Sequence, residues 1–180
     1  MPTEFEGKVL DIDPVEVAQA ILDQGGRRVG ATVLMRRYVY DVVPGDEGRW
    51  IRLRDTGSGS TLTVKEIRHD GIDGTDETEI GVDQFETAND LLGKLGFTPR
   101  SYQENRRTSF LLNYARQEID EWPLIPPYLE IEADSREDVL RTAALLGYGE
   151  ADLTGENTVS VYARHGIDLM TRGRLTFDDH

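Results

Sequence analysis

Apolar and polar residues alternate with a period of two through much of the chain. The pattern picks out eight segments: Glu4–Leu10, Val33–Val43, Trp50–Arg54, Thr61–Ile67, Glu77–Val82, Gln103–Leu112, Gln117–Trp122 and Tyr128–Ala133. Successive side chains of a strand point to opposite faces, so each segment predicts a β-strand with one apolar and one polar face. Three other stretches follow the helical period. Asp13-Pro14-Val15-Glu16 supplies an N-cap, a proline at the first helical position and a capping-box acid, ahead of Val17, Ala18, Ile21 and Leu22. Asp83 is the expected cap of a second helix bearing Phe85, Ala88, Leu91, Leu92 and Leu95, and Ser135 caps a third bearing Val139, Ala143 and Leu146. Gly25-Gly26, Gly96 and Gly147 stop the three helices. The Gly/Ser turn at Asp55–Ser60 predicts a hairpin between its flanking strands, Gly71–Asp76 reads as a second turn, and Trp122–Pro127 is a proline-rich connection. A short helix or turn around Val159–His165 is expected in the tail. Acid-x-acid followed by a capped helix occurs at Glu4/Glu6, Glu77/Glu79 and Glu130/Glu132, a faint echo of repeated strand-then-helix units.

Composition narrows the class. A chain of 180 residues predicts one domain with a real core. With 38% hydrophobic and 30% charged residues it is globular in composition, and no apolar run approaches the roughly 18 residues of a membrane span. The opening Met1-Pro2-Thr3-Glu4 reads into a strand rather than a basic, apolar leader. There are no cysteines, which excludes thiolate metal sites and makes a cytoplasmic location the expectation. A net charge of −14 argues against a general nucleic-acid surface.

The chemistry lies in which polar residues occupy the strands. Ile51 and Leu53 alternate with Arg52 and Arg54, Leu62 and Val64 stand against Lys65, and Leu129 and Ile131 against Glu130 and Glu132. Any one such strand is compatible with a half-solvated sheet. Together they carry paired arginines and paired glutamates at i and i+2, where like charges repel unless an ion of opposite sign sits between them. Paired glutamates offer hard oxygen ligands for Mg²⁺ or Mn²⁺, and Arg with Lys suits phosphate oxygens. Acids for a metal and bases for a polyphosphate on the polar faces of one sheet describe a closed barrel with a charged lumen. His69, His165 and His180 lack ligand spacing. Trp50 and Trp122 are assigned to packing first and to stacking on a substrate ring second, and Tyr38 and Tyr40 to the core, with one of them a candidate for reaching substrate. Gly57-Ser58-Gly59 lacks the context of a nucleotide-binding loop.

Glu4-x-Glu6-x-Lys8 resembles the ExExK signature of the CYTH superfamily, which includes class IV adenylyl cyclases, thiamine triphosphatases and inorganic or RNA triphosphatases. Further landmarks follow in the family's order: Arg52-x-Arg54, Lys65, Glu77-x-Glu79, Arg107, Asp120 and Glu130-x-Glu132, so the resemblance covers Glu4 to about Glu132. It implies an α+β fold, an antiparallel eight-stranded β-barrel (the triphosphate tunnel) with peripheral helices. The tunnel core would span about 4–133 and a C-terminal helical tail about 135–180 of a single domain, 1–180. It also implies that Lys8, Arg52, Arg54, Lys65 and Arg107 hold a triphosphate, that Glu4, Glu6, Asp120, Glu130 and Glu132 bind divalent Mg²⁺ or Mn²⁺, and that Glu79 lies near them. Lys8 is the expected catalytic residue, through transition-state stabilisation or, should neighbouring cations lower its pKa, through proton removal. Two features depart from the family pattern: Asn105 replaces a lysine, and no basic residue precedes a Ser-Tyr pair around Asn157–Tyr162. The expected function is metal-dependent hydrolysis of an inorganic or organic triphosphate by a monomer or homodimer. The alternatives are a class IV adenylyl cyclase acting on ATP and a non-catalytic polyphosphate-binding module.

Overall fold

A computed structural model of the chain describes residues 3–69, 71, 72 and 74–178, with the backbone alone for residues 3 and 4. The eight alternating segments form eight strands: β1 (Thr3–Val9), β2 (Arg27–Asp41), β3 (Arg49–Asp55), β4 (Ser60–Ile67), β5 (Thr75–Val82), β6 (Ser101–Leu112), β7 (Ala115–Glu121) and β8 (Tyr128–Ala133). Their spatial order is β2-β3-β4-β5-β1-β8-β7-β6, all neighbours are antiparallel, and β6 pairs back onto β2. The ladder therefore closes into a barrel, which removes the free edges an open sheet would leave for aggregation.

The helices cover the apolar outer faces. α1 (Pro14–Asp23) and α3 (Arg136–Leu145) lie over β1, β7 and β8, where Val17, Ile21, Val139 and Ala143 pack against Val9, Ile119, Leu129 and Ile131. Gly7 allows the close approach of α3 to β1: a Cβ there would stand 3.2 Å from Val139 Cγ1 and 3.3 Å from Leu153. α2 (Phe85–Lys94) lies over β2 to β4, packing Phe85 and Leu92 against Tyr40, Ile51 and Leu53. Phe5 joins the first of these clusters and Val64 the second, as the alternation predicts. Asp13 and Ser135 cap α1 and α3 through side-chain bonds. No described helix is long and apolar enough to cross a membrane.

Three local readings are corrected. The cap of α2 is Gln84 rather than Asp83, and its side chain accepts from the Thr87 hydroxyl at 2.7 Å instead of from a backbone N–H. The tail is not wholly helical: after α4 (Thr158–Arg164) a two-residue strand, β9 (Arg174–Leu175), adds to β6 in parallel. Two residues are too few to show a period, and the fully buried Leu175 anchors them in a cluster with Trp122, Tyr128 and Tyr162. Asp76 sits in β5, not in a turn; Asp73 of that proposed turn lies outside the described residues. Asp76 is 2% exposed and ion-paired with Arg68, whereas a turn aspartate would be solvated. Asp76→Ala is therefore expected to lower the unfolding free energy by about 1–3 kcal/mol, because it removes the charge-assisted contact of a buried carboxylate with Arg68. Chemical denaturation of the variant beside the parent chain measures this.

Candidate active site

Because strand faces alternate, burying Phe5, Ile51, Leu53, Val64, Leu129 and Ile131 outside turns the intervening residues inward. Those residues surround one cavity of about 240 Å³, which takes in Glu6 and Lys8 of β1, Arg52 and Arg54 of β3, Lys65 of β4, Glu77 and Glu79 of β5, Arg107 of β6, and Glu130 and Glu132 of β8. Of the residues expected in the site from sequence, these nine line the wall: Glu6, Lys8, Arg52, Arg54, Lys65, Glu79, Arg107, Glu130 and Glu132. The side chain of Glu4 lies outside the described residues, and His180 does too. Asp120 does not line the cavity. It is fully buried behind Arg107, whose Nε donates to Oδ1 at 2.7 Å and whose Nη2 donates to Oδ2 at 2.6 Å, while Asn105 Nδ2 donates to Oδ1 at 2.9 Å.

The wall has two halves. On one, Arg52 Nη2 stands 3.6 Å from both Glu77 and Glu79, Arg54 Nη2 stands 3.9 Å from Glu79, and Lys65 pairs with Glu77. Glu79 is anchored by the Thr63 hydroxyl at 2.6 Å. On the other, the Lys8 ammonium lies 2.5 Å from Glu6 and 3.4 Å from Glu130, and Arg107 Nη2 reaches Glu130 at 3.2 Å while its Nη1 pairs with Glu118. The register explains the crowding: Glu6 sits opposite Glu132, Lys8 opposite Glu130, and Glu130 opposite Glu118.

Electrostatics follows from these neighbours. Burial alone would lower the pKa of Lys8, but Glu6 and Glu130 outweigh it and the pKa is raised, so its neighbours are acids and not the cations that proton removal would require. Glu130 is the converse: burial opposes its charge, yet Lys8, Arg107 and Lys65 hold its pKa below the usual carboxylate range. Glu132 is pushed up by burial and by repulsion from Glu130 and Glu6, against a smaller pull from Arg116. Arg54 is pushed down to about 9, first by Arg52 and then by burial. Glu132 and Arg54 thus each stand among like charges, while Glu130 and Lys8 stand among opposite ones.

Among the described residues, no three acidic or histidine side chains are gathered into a ready-made metal site. The donor set nonetheless fits a hard divalent cation. Glu6, Glu130 and Glu132 are oxygen donors crowded on adjacent strands, and the raised pKa of Glu132 marks repulsion that a cation would relieve.

Several wall residues were not foreseen. Arg37 and Gln103 line the cavity, as do Arg116 and the segment 157–160 at the start of α4, whereas Trp122, also on the wall, is a stacking candidate from sequence. Arg37 was legible: Tyr38 and Tyr40 share the outer core, with Tyr38 stacked on Phe85 at 5.2 Å and Tyr40 donating to Asn89, so parity turns Arg37 inward. The segment 157–160 was not: it is placed by Lys8 and Thr154 exchanging backbone bonds across a single bridge and by the burial of Val161 and Tyr162 beside Trp122. Trp122 is 4% exposed and packs edge-on to Tyr162, and Trp50 is half-buried on the wall.

The barrel is closed and antiparallel, and ion-paired basic and acidic side chains face its one lumen. The chain belongs to the CYTH family: the CYTH domain model matches residues 33–154, more than half of its length. That match begins after β1, which the barrel nonetheless places between β5 and β8. A conserved hypothetical protein from Pyrococcus furiosus has a similar structure, with 21% identity, coverage of 87% of this chain and 98% of that one, and a TM-score of 0.73. A candidate adenylate cyclase from Vibrio parahaemolyticus is 15% identical over 89% and 98% of the two chains, with a TM-score of 0.74. A candidate adenylyl cyclase from Hippeastrum, described as having a dominant triphosphatase activity, is 16% identical over 94% and 99%, with a TM-score of 0.63. At these identities the likeness is one of fold. A search of curated proteins found no match.

Proposed function

We propose that this CYTH protein is a divalent-metal-dependent triphosphatase acting inside the barrel. The observation that carries the reading is one lumen in which Arg52 presses on Arg54 and Glu130 presses on Glu132, so that an anion would relieve the first contact and a cation the second. A triphosphate with its metal supplies both.

In this reading Arg52, Arg54 and Lys65 bind the non-reacting phosphates, by fork geometry for the arginines and as a point charge for the lysine. Arg107 is clamped flat by Asp120 and Glu118 and offers fixed donors near Glu130, so Asp120 orients Arg107 rather than facing the lumen. Lys8, fixed between Glu6 and Glu130, presents a permanent positive charge where negative charge grows on the reacting phosphate. Glu6, Glu130 and Glu132 would hold the divalent ion, which supplies charge withdrawal from phosphate oxygens when bound. Closure of the barrel limits the water that reaches the lumen.

A second reading, cyclisation of ATP, draws on Trp50, a half-buried aromatic residue of the cavity wall against which a base could stack. A panel of inorganic triphosphate, ATP, GTP and thiamine triphosphate, each with Mg²⁺ and with Mn²⁺, separates the readings. Phosphate release from inorganic triphosphate is expected. Cyclic AMP with pyrophosphate from ATP would establish the cyclase instead, and tight triphosphate binding without turnover would establish a non-catalytic binding module.

A further inference from the structure

Arg37 is the most buried cation of the lumen without an acid of its own. It is 6% exposed and sits in the middle of β2. Among the described residues no carboxylate lies within ion-pair distance of its guanidinium, and its one side-chain hydrogen bond goes from Nη2 to the neutral amide oxygen of Asn105. Its Nε is buried and has no hydrogen-bond partner.

Its neighbours on each side fail to compensate the charge. In register, Arg37 stands opposite Arg54 of β3 and opposite the neutral Gln103 of β6. Trp122 of the β7 end lies under the guanidinium, whose Cζ is 4.6 Å from the ring centroid, and this fixes the plane of the fork without neutralising it. Arg52 and Arg107 approach closely enough to repel it, and the one acid that attracts it, Asp120, is already engaged by Arg107 and Asn105. Burial first, then Arg52, Arg54 and Arg107, push its pKa down to about 9.

Two arginines facing each other across a ladder, one of them buried and unpaired, are an unfavourable arrangement in the empty protein. Such an arrangement persists where a ligand repays it. A buried guanidinium held flat by an indole and by one amide, with donors left over, matches the planar recognition of a phosphate group. We infer that Arg37 binds the triphosphate directly, with Arg54 as its partner across the β2–β3 ladder, so that the two forks grip one phosphate group from adjacent strands. This inference rests on the triphosphate reading of the tunnel and adds β2 to the strands that touch the ligand.

The inference has an unusual signature, because affinity and stability move in opposite directions. Removing an unpaired buried charge does not harm the empty protein, whereas removing a structural brace does. The test is calorimetric titration of inorganic triphosphate into the intact chain with a chelator present, so that no turnover occurs, together with thermal unfolding without ligand. Arg37→Gln and Arg37→Met are each expected to weaken triphosphate binding about tenfold or more, equivalent to about 1.4 kcal/mol, with a ligand-free melting temperature no lower than that of the parent. Arg37→Lys keeps the charge, loses the fork, and is expected to fall between parent and Arg37→Gln.

Parent-like triphosphate affinity in both Arg37→Gln and Arg37→Met overturns the inference and leaves the triphosphate reading standing. Weakened binding accompanied by a lower ligand-free melting temperature in both variants assigns Arg37 to bracing the wall, and also overturns it. A parent protein that binds none of inorganic triphosphate, ATP, GTP and thiamine triphosphate, with or without Mg²⁺ or Mn²⁺, overturns the tunnel's substrate reading, and the inference with it.

Discussion

Replacing Lys8 with alanine is expected to lower the turnover number about a hundredfold or more, with a much smaller change in the Michaelis constant. The structure gives Lys8 one role among the two open from sequence. Its ammonium is 2% exposed as a residue, touches Glu6 at 2.5 Å and Glu130 at 3.4 Å, and has its pKa raised by them. A lysine so held keeps its proton through and above the neutral range, so it does not serve as the base that activates water. What it can do is hold a fixed positive charge beside the reacting phosphate. Such a charge lowers the barrier to the extent that phosphate charge is greater in the transition state than in the bound substrate. Arg52→Ala is the control. Arg52 lies on β3 between Glu77 and Glu79, away from the carboxylate cluster of β1 and β8, and its loss is expected to raise the Michaelis constant with a lesser effect on turnover. Steady-state kinetics of both variants on the best substrate of the panel decide the matter. A Lys8→Ala variant that changed only the Michaelis constant would make Lys8 a binding residue like the arginines.

The barrel was legible because its strands bury one face under helices and hold charge on the other. That leaves an unambiguous period-two signal in segments such as Trp50–Arg54 and Tyr128–Ala133. The same signal put Arg52, Arg54, Lys65, Glu130 and Glu132 on the polar strand faces that line the lumen, and the resemblance to CYTH proteins added Arg107. It did not foretell what each charge would meet there. Asp120 follows the parity of a lumen residue, but Arg107 and Asn105 consume both its oxygens, and that competition depends on side-chain length and on the β6–β7 register. The wall formed by 157–160 was illegible for a different reason. It is docked by a pair of backbone bonds between Lys8 and Thr154, which leave little trace in residue choice, and by Val161 and Tyr162, whose short helix shows too few turns to reveal an apolar face. Gly71–Asp76 misled because its glycines are real turn signals, while Asp76 gains more from burial beside Arg68 than from solvation in the turn.

Two glutamates one strand step apart should answer differently to the same conservative change. Glu130 lies within 3.4 Å of Lys8 and 3.2 Å of Arg107, and its pKa is held low by cations that burial would otherwise leave unpaired. Glu130→Gln keeps the shape but removes one of the charges paired with each, Lys8 keeping Glu6 and Arg107 keeping Asp120 and Glu118, so the ligand-free protein is expected to lose about 1–3 kcal/mol. Glu132 forms no ion pair among the described residues, and its pKa is raised by burial, by Glu130 and by Glu6. For a carboxylate with a raised folded-state pKa, ionisation above its unfolded-state value costs stability, and that cost is relieved as the pH falls through the folded-state value. Glu132→Gln removes the same cost at neutral pH, so the ligand-free variant is expected to be at least as stable as the parent. If both carboxylates hold the divalent ion, both variants are nonetheless expected to lose about a hundredfold or more in turnover at fixed metal and to need more Mg²⁺ or Mn²⁺ for half-maximal rate. The informative variant is therefore Glu132→Gln, in which loss of activity cannot be charged to loss of fold. Denaturation of the free protein and a metal titration of the rate measure the two quantities separately. A Glu132→Gln protein that kept both its stability and its parental metal requirement would remove Glu132 from the metal-binding set.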